Sequence, residues 1–274
     1  MIEDPAFLAV LAVSLVAVGV VAGILAGLLG VGGGIVIVPV LFHVFGLIGI
    51  DEDVKMHLAV GTSLATIIPT SISSMRAHMK KGAVDKGLLL SWGPWIAVGV
   101  IAGTVLAGSV RGGTLTAVFG TIALIVALHM AFGKESWRVA DAPPSGPGKG
   151  MIASLIGGFS VMMGIGGGTI AVPTLVLFNY PVHKAVGTAS AIGLIIGVPG
   201  TIGFVLGGLG HDGLPPFSLG YMSLVGFALL TPMTVLFAPY GARIAHAIDR
   251  RALRRVFALF LAITSARMFW QILT

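Results

Sequence analysis

Residues 27–41 read GLLGVGGGIVIVPVL, and residues 161–175 read VMMGIGGGTIAVPTL. The two stretches align without a gap and share four glycines, a proline and a leucine at the same spacing. A second shared phrase follows each of them, HLAVGTS at residues 57–63 and HKAVGTAS at residues 183–190. Since the phrases occur in the same order in both halves, the chain is an internal duplication.

The amino-acid composition indicates whether the chain lies in water or in lipid. Hydrophobic residues make up 56% of the chain, charged residues 9%, and the mean hydropathy is +1.05, values typical of a protein that lives in lipid. Long apolar stretches without alternating polar residues favour helices over a β-barrel. The chain has no cysteine, which excludes disulfides, thiol catalysis and cysteine-ligated metals. We predict an all-α polytopic membrane protein.

Glycine, proline and charged residues divide the chain into ten apolar segments. A stretch rich in proline, glycine and charge, GKESWRVADAPPSGPGK, lies between the fifth and the sixth segment and has the composition of a linker. We therefore predict a first membrane repeat at residues 1–133, a cytoplasmic linker at 134–149 and a second membrane repeat at 150–274. The segments are residues 7–29, 34–48, 56–78, 87–109, 114–132, 150–164, 168–180, 184–208, 217–245 and 252–272.

The two repeats are predicted to have inverted topology. A third match, of Val118 with Val256 and of Met130 with Met268, extends the duplication at an offset of 138 residues. Each half contributes five segments, so an odd number of crossings reverses the second half, as in inverted-repeat transporters. The second segment of each half is short and also fits a half-helix or a re-entrant hairpin, which leaves eight to ten full crossings.

Lysine and arginine indicate the orientation. If each segment crosses once and the N-terminus is outside, all of the 16 lysines and arginines except Lys55, Arg111 and Arg267 lie at the cytoplasmic side. This bias is typical of cytoplasmic loops. We expect a multi-pass protein of the inner (plasma) membrane, with both termini extracytoplasmic. The acidic start of the chain favours a retained first helix over a cleaved signal peptide.

The glycine-rich phrase predicts a helix break near the membrane midplane. Clustered glycines interrupt a helix and leave backbone amides without a covering side chain. The helices that begin at Gly34 and Gly168 would direct their first-turn amides and positive dipole ends into these breaks. An anion is the ligand that such helix ends favour. The alternative is that glycines allow close helix packing, which we expect for Gly23, Gly27, Gly99 and Gly103.

Both phrases supply the candidate site. Hydroxyl groups of Ser and Thr can donate to an anion, or bond back to their own helix. His57 and His183 are candidates for a proton relay, with anchoring at the membrane interface as the favoured alternative. Arg267 is a candidate for attracting anions at the external mouth or for snorkelling. The predicted substrate-binding residues are Gly32, Gly33, Gly34, Gly61, Thr62, Ser63, Gly166, Gly167, Gly168, Thr169, Gly187, Thr188 and Ser190.

On these phrases the chain resembles the TauE/SafE family of sulfite exporters, along nearly its whole length. The resemblance implies a bacterial or archaeal inner-membrane permease that exports sulfur-containing anions such as sulfite, sulfoacetate or other organosulfonates. The resemblance covers Pro39 and Pro173 as well as the glycines and the hydroxyl residues named above. One departure is that the second half reads GTAS where the first reads GTS, so Ser190 is shifted by about 100° around a helix relative to Ser63.

We predict a secondary transporter that works by alternating access around the glycine breaks. An anion channel, or a permease for a different small anion, is the alternative. No nucleotide-binding phrase and no catalytic constellation lies in the apolar segments, so we expect no enzyme activity, no cofactor, no metal and no nucleic acid partner. Protons are the candidate coupling ion, and an oligomer is compatible with the sequence.

Overall fold

The computed structural model describes residues 5–29, 32–133, 139–211, 213–244 and 250–273. These residues form ten helices, because a chain in lipid must satisfy its backbone hydrogen bonds within each segment. The helices are α1 (Pro5–Leu29), α2 (Gly34–Leu47), α3 (Glu52–Met79), α4 (Lys86–Ser109), α5 (Gly112–Phe132), α6 (Gly146–Met162), α7 (Gly168–Leu177), α8 (Val182–Gly208), α9 (Leu224–Ile244) and α10 (Arg250–Leu273).

The predicted helix breaks are confirmed, since α2 begins at Gly34 and α7 at Gly168. The ninth helix is the main difference from the predicted segments, because it begins at Leu224 rather than at residue 217. Phe217 and Gly220 have φ angles of 61° and 53°, in the left-handed region that a helix cannot use. The chain before α9 is therefore a folded loop.

Two long helices, α3 and α8, cross at the centre of the bundle. Most of the remaining contacts recur when the first five helices are exchanged for the last five, although the contact of α3 with α5 has no comparable counterpart between α8 and α10 in the described part of the chain. Thus α1 packs on α9 as α6 packs on α4, α3 on α9 as α8 on α4, and α2 on α3 as α7 on α8, while α5 and α10 pair with each other. A twofold relation between the halves would produce this pattern, and their inverted orientation stays a prediction.

Glycines make the closest helix crossings possible. An added Cβ at Gly27 would lie 1.8 Å from the carbonyl oxygen of Ala238, and one at Gly99 would lie 1.9 Å from that of Ser154. An added Cβ at Gly23 would lie 2.8 Å from backbone atoms of Thr234 in α9, and one at Gly103 would lie 2.6 Å from the carbonyl oxygen of Gly158 in α6. The prediction that these four glycines serve helix packing is confirmed.

The outer surface of the bundle is apolar. Leu90, Val105 and Leu206 are among the large hydrophobic side chains that are more than half exposed, as expected for a surface that faces lipid. Within the described residues, five helices are long and apolar enough to span a membrane: α3, α4, α5, α8 and α9. Shorter apolar helices are residues Ala12–Leu28 within α1, together with α2 and α7. The chain is a multi-pass membrane protein.

Candidate anion site at the glycine breaks

The first break lies between α1 and α2. Gly32 and Gly33 have φ angles of 72° and 80°, which a residue without a Cβ adopts readily. The carbonyl of Gly33 accepts hydrogen bonds from the amides of Val36 and Ile37. The amides of Gly34 and Ile35 come before these two. The helix offers them no carbonyl one turn earlier, so both amides face the break.

The second break has a different backbone. Gly164 has a φ angle of 63°, whereas Gly167 has a right-handed φ of −53°. The carbonyl of Gly167 accepts a hydrogen bond from Ala171 at 2.8 Å, which begins α7. The two halves therefore share the glycine phrase but use its glycines in different conformations.

The two breaks are in direct contact. An added Cβ at Gly34 would lie 2.3 Å from the carbonyl oxygen of Gly164, and one at Gly32 would lie 3.4 Å from the Cα of Gly166. The hydroxyl of Ser63 on α3 donates to the same Gly164 carbonyl at 2.7 Å. The glycines thus meet at the centre of the bundle with no room for a side chain at Gly34, so close packing is part of their role.

A hydroxyl without a partner lies at the start of α7. Thr169 is the second residue of that helix, is 5% exposed, and among the described residues finds no hydrogen-bond partner for its hydroxyl. Ser160, whose carbonyl accepts from the Ile165 amide of the break, also has an unpaired hydroxyl within the described part of the chain. First-turn amides and free hydroxyls are donors, so this end of α7 suits an anion.

The glycines of the AVGT phrase perform the same packing task in both halves. An added Cβ at Gly61 on α3 would lie 2.0 Å from the carbonyl oxygen of Tyr221, in the loop before α9. An added Cβ at Gly187 on α8 would lie 2.5 Å from that of Ala83, in the loop before α4. Each glycine therefore lets a loop of the other half approach the central helix.

The threonines that follow these glycines are also equivalent. The Thr62 hydroxyl donates to the Leu58 carbonyl and accepts from the amide of Ser223, one residue before α9. The Thr188 hydroxyl accepts from the amide of Asp85, one residue before α4. Each threonine holds the start of a helix from the other half. Their proposed role in binding substrate is additional to this structural one.

Ser63 and Ser190 differ, as the shift between GTS and GTAS predicts. Ser63 reaches the second glycine break, whereas the Ser190 hydroxyl donates to Gly187 within its own helix at 2.6 Å. The residue equivalent to Ser63 in the second half is Ala189, which has no hydroxyl. The hydrogen bond to the opposite break is thus made from α3 alone.

The two histidines lie in different surroundings. His57 is 4% exposed, with Nε2 2.9 Å from the Ala107 carbonyl and Nδ1 3.1 Å from that of Asp53. Anchoring at the membrane interface, the role we favoured, is therefore wrong for His57, because protein encloses the ring. His183 is exposed, as an interfacial residue would be. Both stay candidates for proton transfer.

Lys55 lies near the start of α3 beside an opposite charge. It is completely buried, pairs with the exposed carboxylate of Glu52, and has its Nζ 4.4 Å from the centre of the Phe42 ring. Because Glu52 balances the charge of Lys55, this pair adds no net positive charge. The attraction of anions by Arg267 stays a prediction.

Sequence reasoning missed a pair of matched helix caps. Asp85 accepts from the Leu88 amide at 3.0 Å and Ser223 from the Gly226 amide at 3.2 Å. Both pairs are related by the offset of 138 residues that relates Val118 to Val256. Side-chain capping of a helix start is a recognisable signal, but Asp and Ser are different letters, so the alignment did not reveal the equivalence.

Asp85 makes a second contact that Ser223 does not. The Tyr180 hydroxyl donates to its carboxylate, and this bond, with the Leu88 amide and nearby Lys184, holds the pKa of Asp85 below its usual value of 3.8. Burial and the Asp85 carboxylate raise the pKa of Tyr180. The cap of α4 is therefore a charged network that connects α4 to the loop before α8.

Comparison with known proteins agrees with this architecture. A family model described as sulfite exporter TauE/SafE matches residues 15–268. A probable membrane transporter protein of Haemophilus influenzae is 31% identical over 259 residues, covering 92% of this chain and 96% of the relative. Another, of Methanocaldococcus jannaschii, is 31% identical over 188 residues, covering 66% of this chain and 67% of the relative.

A third relative, the probable membrane transporter protein YunE of Bacillus subtilis, is 30% identical over 206 residues, 66% of this chain and 73% of its own length. No solved structure matches the chain. The family match spans both glycine breaks and both AVGT phrases, and the relatives share most of the length. The chain therefore belongs to the sulfite exporter TauE/SafE family of membrane transporters.

Proposed function

We propose that the chain exports a small sulfur-containing anion, such as sulfite, sulfoacetate or another organosulfonate, as a secondary transporter. The observation that carries the proposal is the contact between the two glycine breaks beside the unpaired hydroxyl of Thr169. The family match is the reason for proposing a substrate that contains sulfur. The positive ends of the helices are the reason for proposing an anion. The residues already predicted to bind substrate, from Gly32 to Ser190, belong to this proposed site.

The residues around the breaks suit an anion that must be released after it has bound. The side chains nearest to the described break glycines, including Val38, Ile67 and Ile192, are apolar, and Ser63 is uncharged. Amides and hydroxyls would hold an oxyanion without a lysine or arginine beside it. Binding without a full opposite charge keeps the affinity moderate, which favours release on the far side of the membrane.

Alternating access is the proposed mechanism, and the close packing of the described break residues supports it. Gly34 lies against the Gly164 carbonyl without room for a Cβ, so an anion could pass this point only after the helices move. Rocking of α3 against α8 would open the breaks to one side and then the other. Protons are the proposed coupling ion, with His57 as the buried candidate for their transfer. An anion channel, or a permease for another anion, is the competing interpretation.

Liposomes that contain the purified protein test the proposal. Sulfite, sulfoacetate, sulfate and chloride would be supplied separately across an imposed pH gradient, with empty liposomes as the control. We expect saturable flux of sulfite or sulfoacetate that needs no ATP and changes with the direction of the gradient. Flux that never saturates would favour a channel, and absence of flux for every sulfur anion would overturn the substrate.

A further inference from the structure

One face of α3 is polar along its buried length. Residues 63, 67, 71, 74 and 78 follow each other at intervals of three or four, so they lie on one side of the helix. Four of these residues are polar, and all five are buried. They are Ser63, Ile67, Ser71, Ser74 and His78.

This face begins at the glycine breaks. Ser63 donates to the Gly164 carbonyl, and both γ carbons of Ile67 lie 3.1 Å from the position that a Cβ on Gly32 would occupy. Ile67 therefore lies against the first break, and the next residue on the face, Ser71, lies one turn beyond it. Anything that leaves the breaks along α3 would meet this side of the helix.

Ser71 and Ser74 have hydroxyls that the described residues leave unpaired, although both side chains are 1% exposed. A buried hydroxyl without a hydrogen-bond partner is unfavourable, because it has lost its bonds to water. Hydroxyls nearby on the same helix avoid this cost, since Thr66 and Thr70 bond to their own helix and Ser73 donates to the Val235 carbonyl. Two successive hydroxyls on one helix face that no described residue pairs with favour a polar ligand that binds there transiently.

The opposite helix packs directly against Ser71. A Cβ on Gly193 of α8 would lie 2.3 Å from the Ser71 hydroxyl oxygen, so this hydroxyl occupies the place of a side chain on α8, and a ligand could reach it only when α3 and α8 separate. Applying the offset of 126 residues that relates His57 to His183, the α8 residues equivalent to the polar face are Ala189, Gly193, Gly197, Gly200 and Phe204. None of them carries a hydroxyl.

The far end of the face is positively charged. His78 is buried, with Nε2 3.0 Å from the Gly27 carbonyl, and the exposed Lys80 and Lys81 directly follow the end of α3 at Met79. Exposed cations at the mouth of a polar path raise the local concentration of anions. The face thus connects the breaks to a positive surface.

We infer that the anion passes between the glycine breaks and the Lys80–Lys81 end of α3 along the hydroxyls of Ser71 and Ser74. The inference rests on the proposed function for the identity of the substrate, but the polar path itself is a property of α3. When α3 and α8 move apart, the two hydroxyls replace part of the water that the anion loses. The α8 residues equivalent to the polar face contribute no hydroxyl, so the hydrogen bonds to the anion would come from α3.

Single cysteines test the path directly, because the chain contains no other cysteine. Ser71→Cys, Ser74→Cys and, as the matched control, Ser73→Cys would be labelled in liposomes with a membrane-impermeant anionic methanethiosulfonate. We expect the first two to react at least about tenfold faster than the control, a barrier difference of about 1.4 kcal/mol. Sulfoacetate should slow their labelling and leave the control unchanged.

Equal labelling rates at the three positions would overturn the path, even if the protein transports sulfite. Rapid labelling of Ser71→Cys and Ser74→Cys without flux of any sulfur anion would support the path and overturn the proposed substrate. Ser71→Ala and Ser74→Ala should each reduce flux, whereas Ser73→Ala should retain it. Full flux in the first two variants would contradict the role of the hydroxyls.

Discussion

The central helices α3 and α8 share one set of contacts and differ in another. Gly61 and Gly187 admit a loop of the other half, and Thr62 and Thr188 hold the start of a helix there. The polar face of α3, in contrast, has no counterpart on α8. The duplication thus preserved the contacts that assemble the halves, and the difference between the helices indicates where transport has specialised.

The glycine breaks show the same division on a smaller scale. Both begin a half-helix at the third of three adjoining glycines, but Gly32 and Gly33 are left-handed, whereas the equivalent Gly166 and Gly167 are not. Thr169 has a hydroxyl at the start of α7 that no described residue pairs with, where α2 has Ile35. Two similar phrases therefore form breaks with unequal sides.

The largest expected effect comes from filling the shared glycines. Gly61→Ala and Gly187→Ala would each place a Cβ within 2.5 Å of a backbone carbonyl oxygen, and we expect each to destabilise the fold by about 1–3 kcal/mol because of overpacking. Thermal unfolding in detergent, followed by helical circular dichroism, measures the loss.

Gly207→Ala is the control, since an added Cβ there meets nothing within 4 Å and alanine favours a helix by about 0.5–1 kcal/mol over glycine. Unchanged melting of either Gly61→Ala or Gly187→Ala would show that the two halves do not use these glycines alike.

The shared threonines should have a smaller effect. Thr62→Val and Thr188→Val keep the shape of the side chain but remove the oxygen that accepts from Ser223 or Asp85. We expect each to destabilise the protein by about 1–2 kcal/mol, since an amide at a helix start loses its partner. Thr104→Val is the control, because its hydroxyl bonds only within its own helix among the described contacts. Loss in one half alone would contradict the equivalence.

The smallest expected effect is a difference in pH dependence between the caps of α4 and α9. The pKa of Asp85 is lowered in the folded protein, so its contribution to stability is present above its usual value of 3.8 and is lost as pH falls through the lower folded value. Ser223, the equivalent cap, does not titrate in this range. Melting temperature measured against pH should fall below pH 4, and Tyr180→Phe should reduce that fall by removing the largest cause of the shift.

Asp85→Ser, which makes the cap of α4 resemble that of α9, should make the acid-induced fall in melting temperature shallower. A fall that is unchanged in both Asp85→Ser and Tyr180→Phe would assign the acid sensitivity to other carboxylates.

Much of the fold could be predicted from the sequence. Apolar segments and glycine clusters placed the helices and both breaks, because lipid leaves the backbone few alternatives to a helix. The loop before α9 was not predicted, because Phe217 adopts a left-handed backbone conformation that is unusual for a residue of its type. The paired caps were missed because Asp85 and Ser223 perform one task with different residues.

The polar face of α3 was missed for another reason. Ser71 and Ser73 look alike in a sequence, and only the packing shows that the first hydroxyl is unpaired and the second is bonded to the Val235 carbonyl. This difference depends on contacts between helices of different halves, which no local sequence pattern encodes.

Sulfite flux into liposomes from Thr169→Val, compared with Thr174→Val, tests most directly whether the anion is held at the glycine breaks. Thr169 has no partner among the described residues, whereas the Thr174 hydroxyl, further along α7, donates to the Ile170 carbonyl. The account predicts that Thr169→Val raises the sulfite concentration for half-maximal flux by about tenfold, the loss of one hydrogen bond to a charged group, while Thr174→Val retains the original value. Equal values for both variants and the unaltered protein would contradict it.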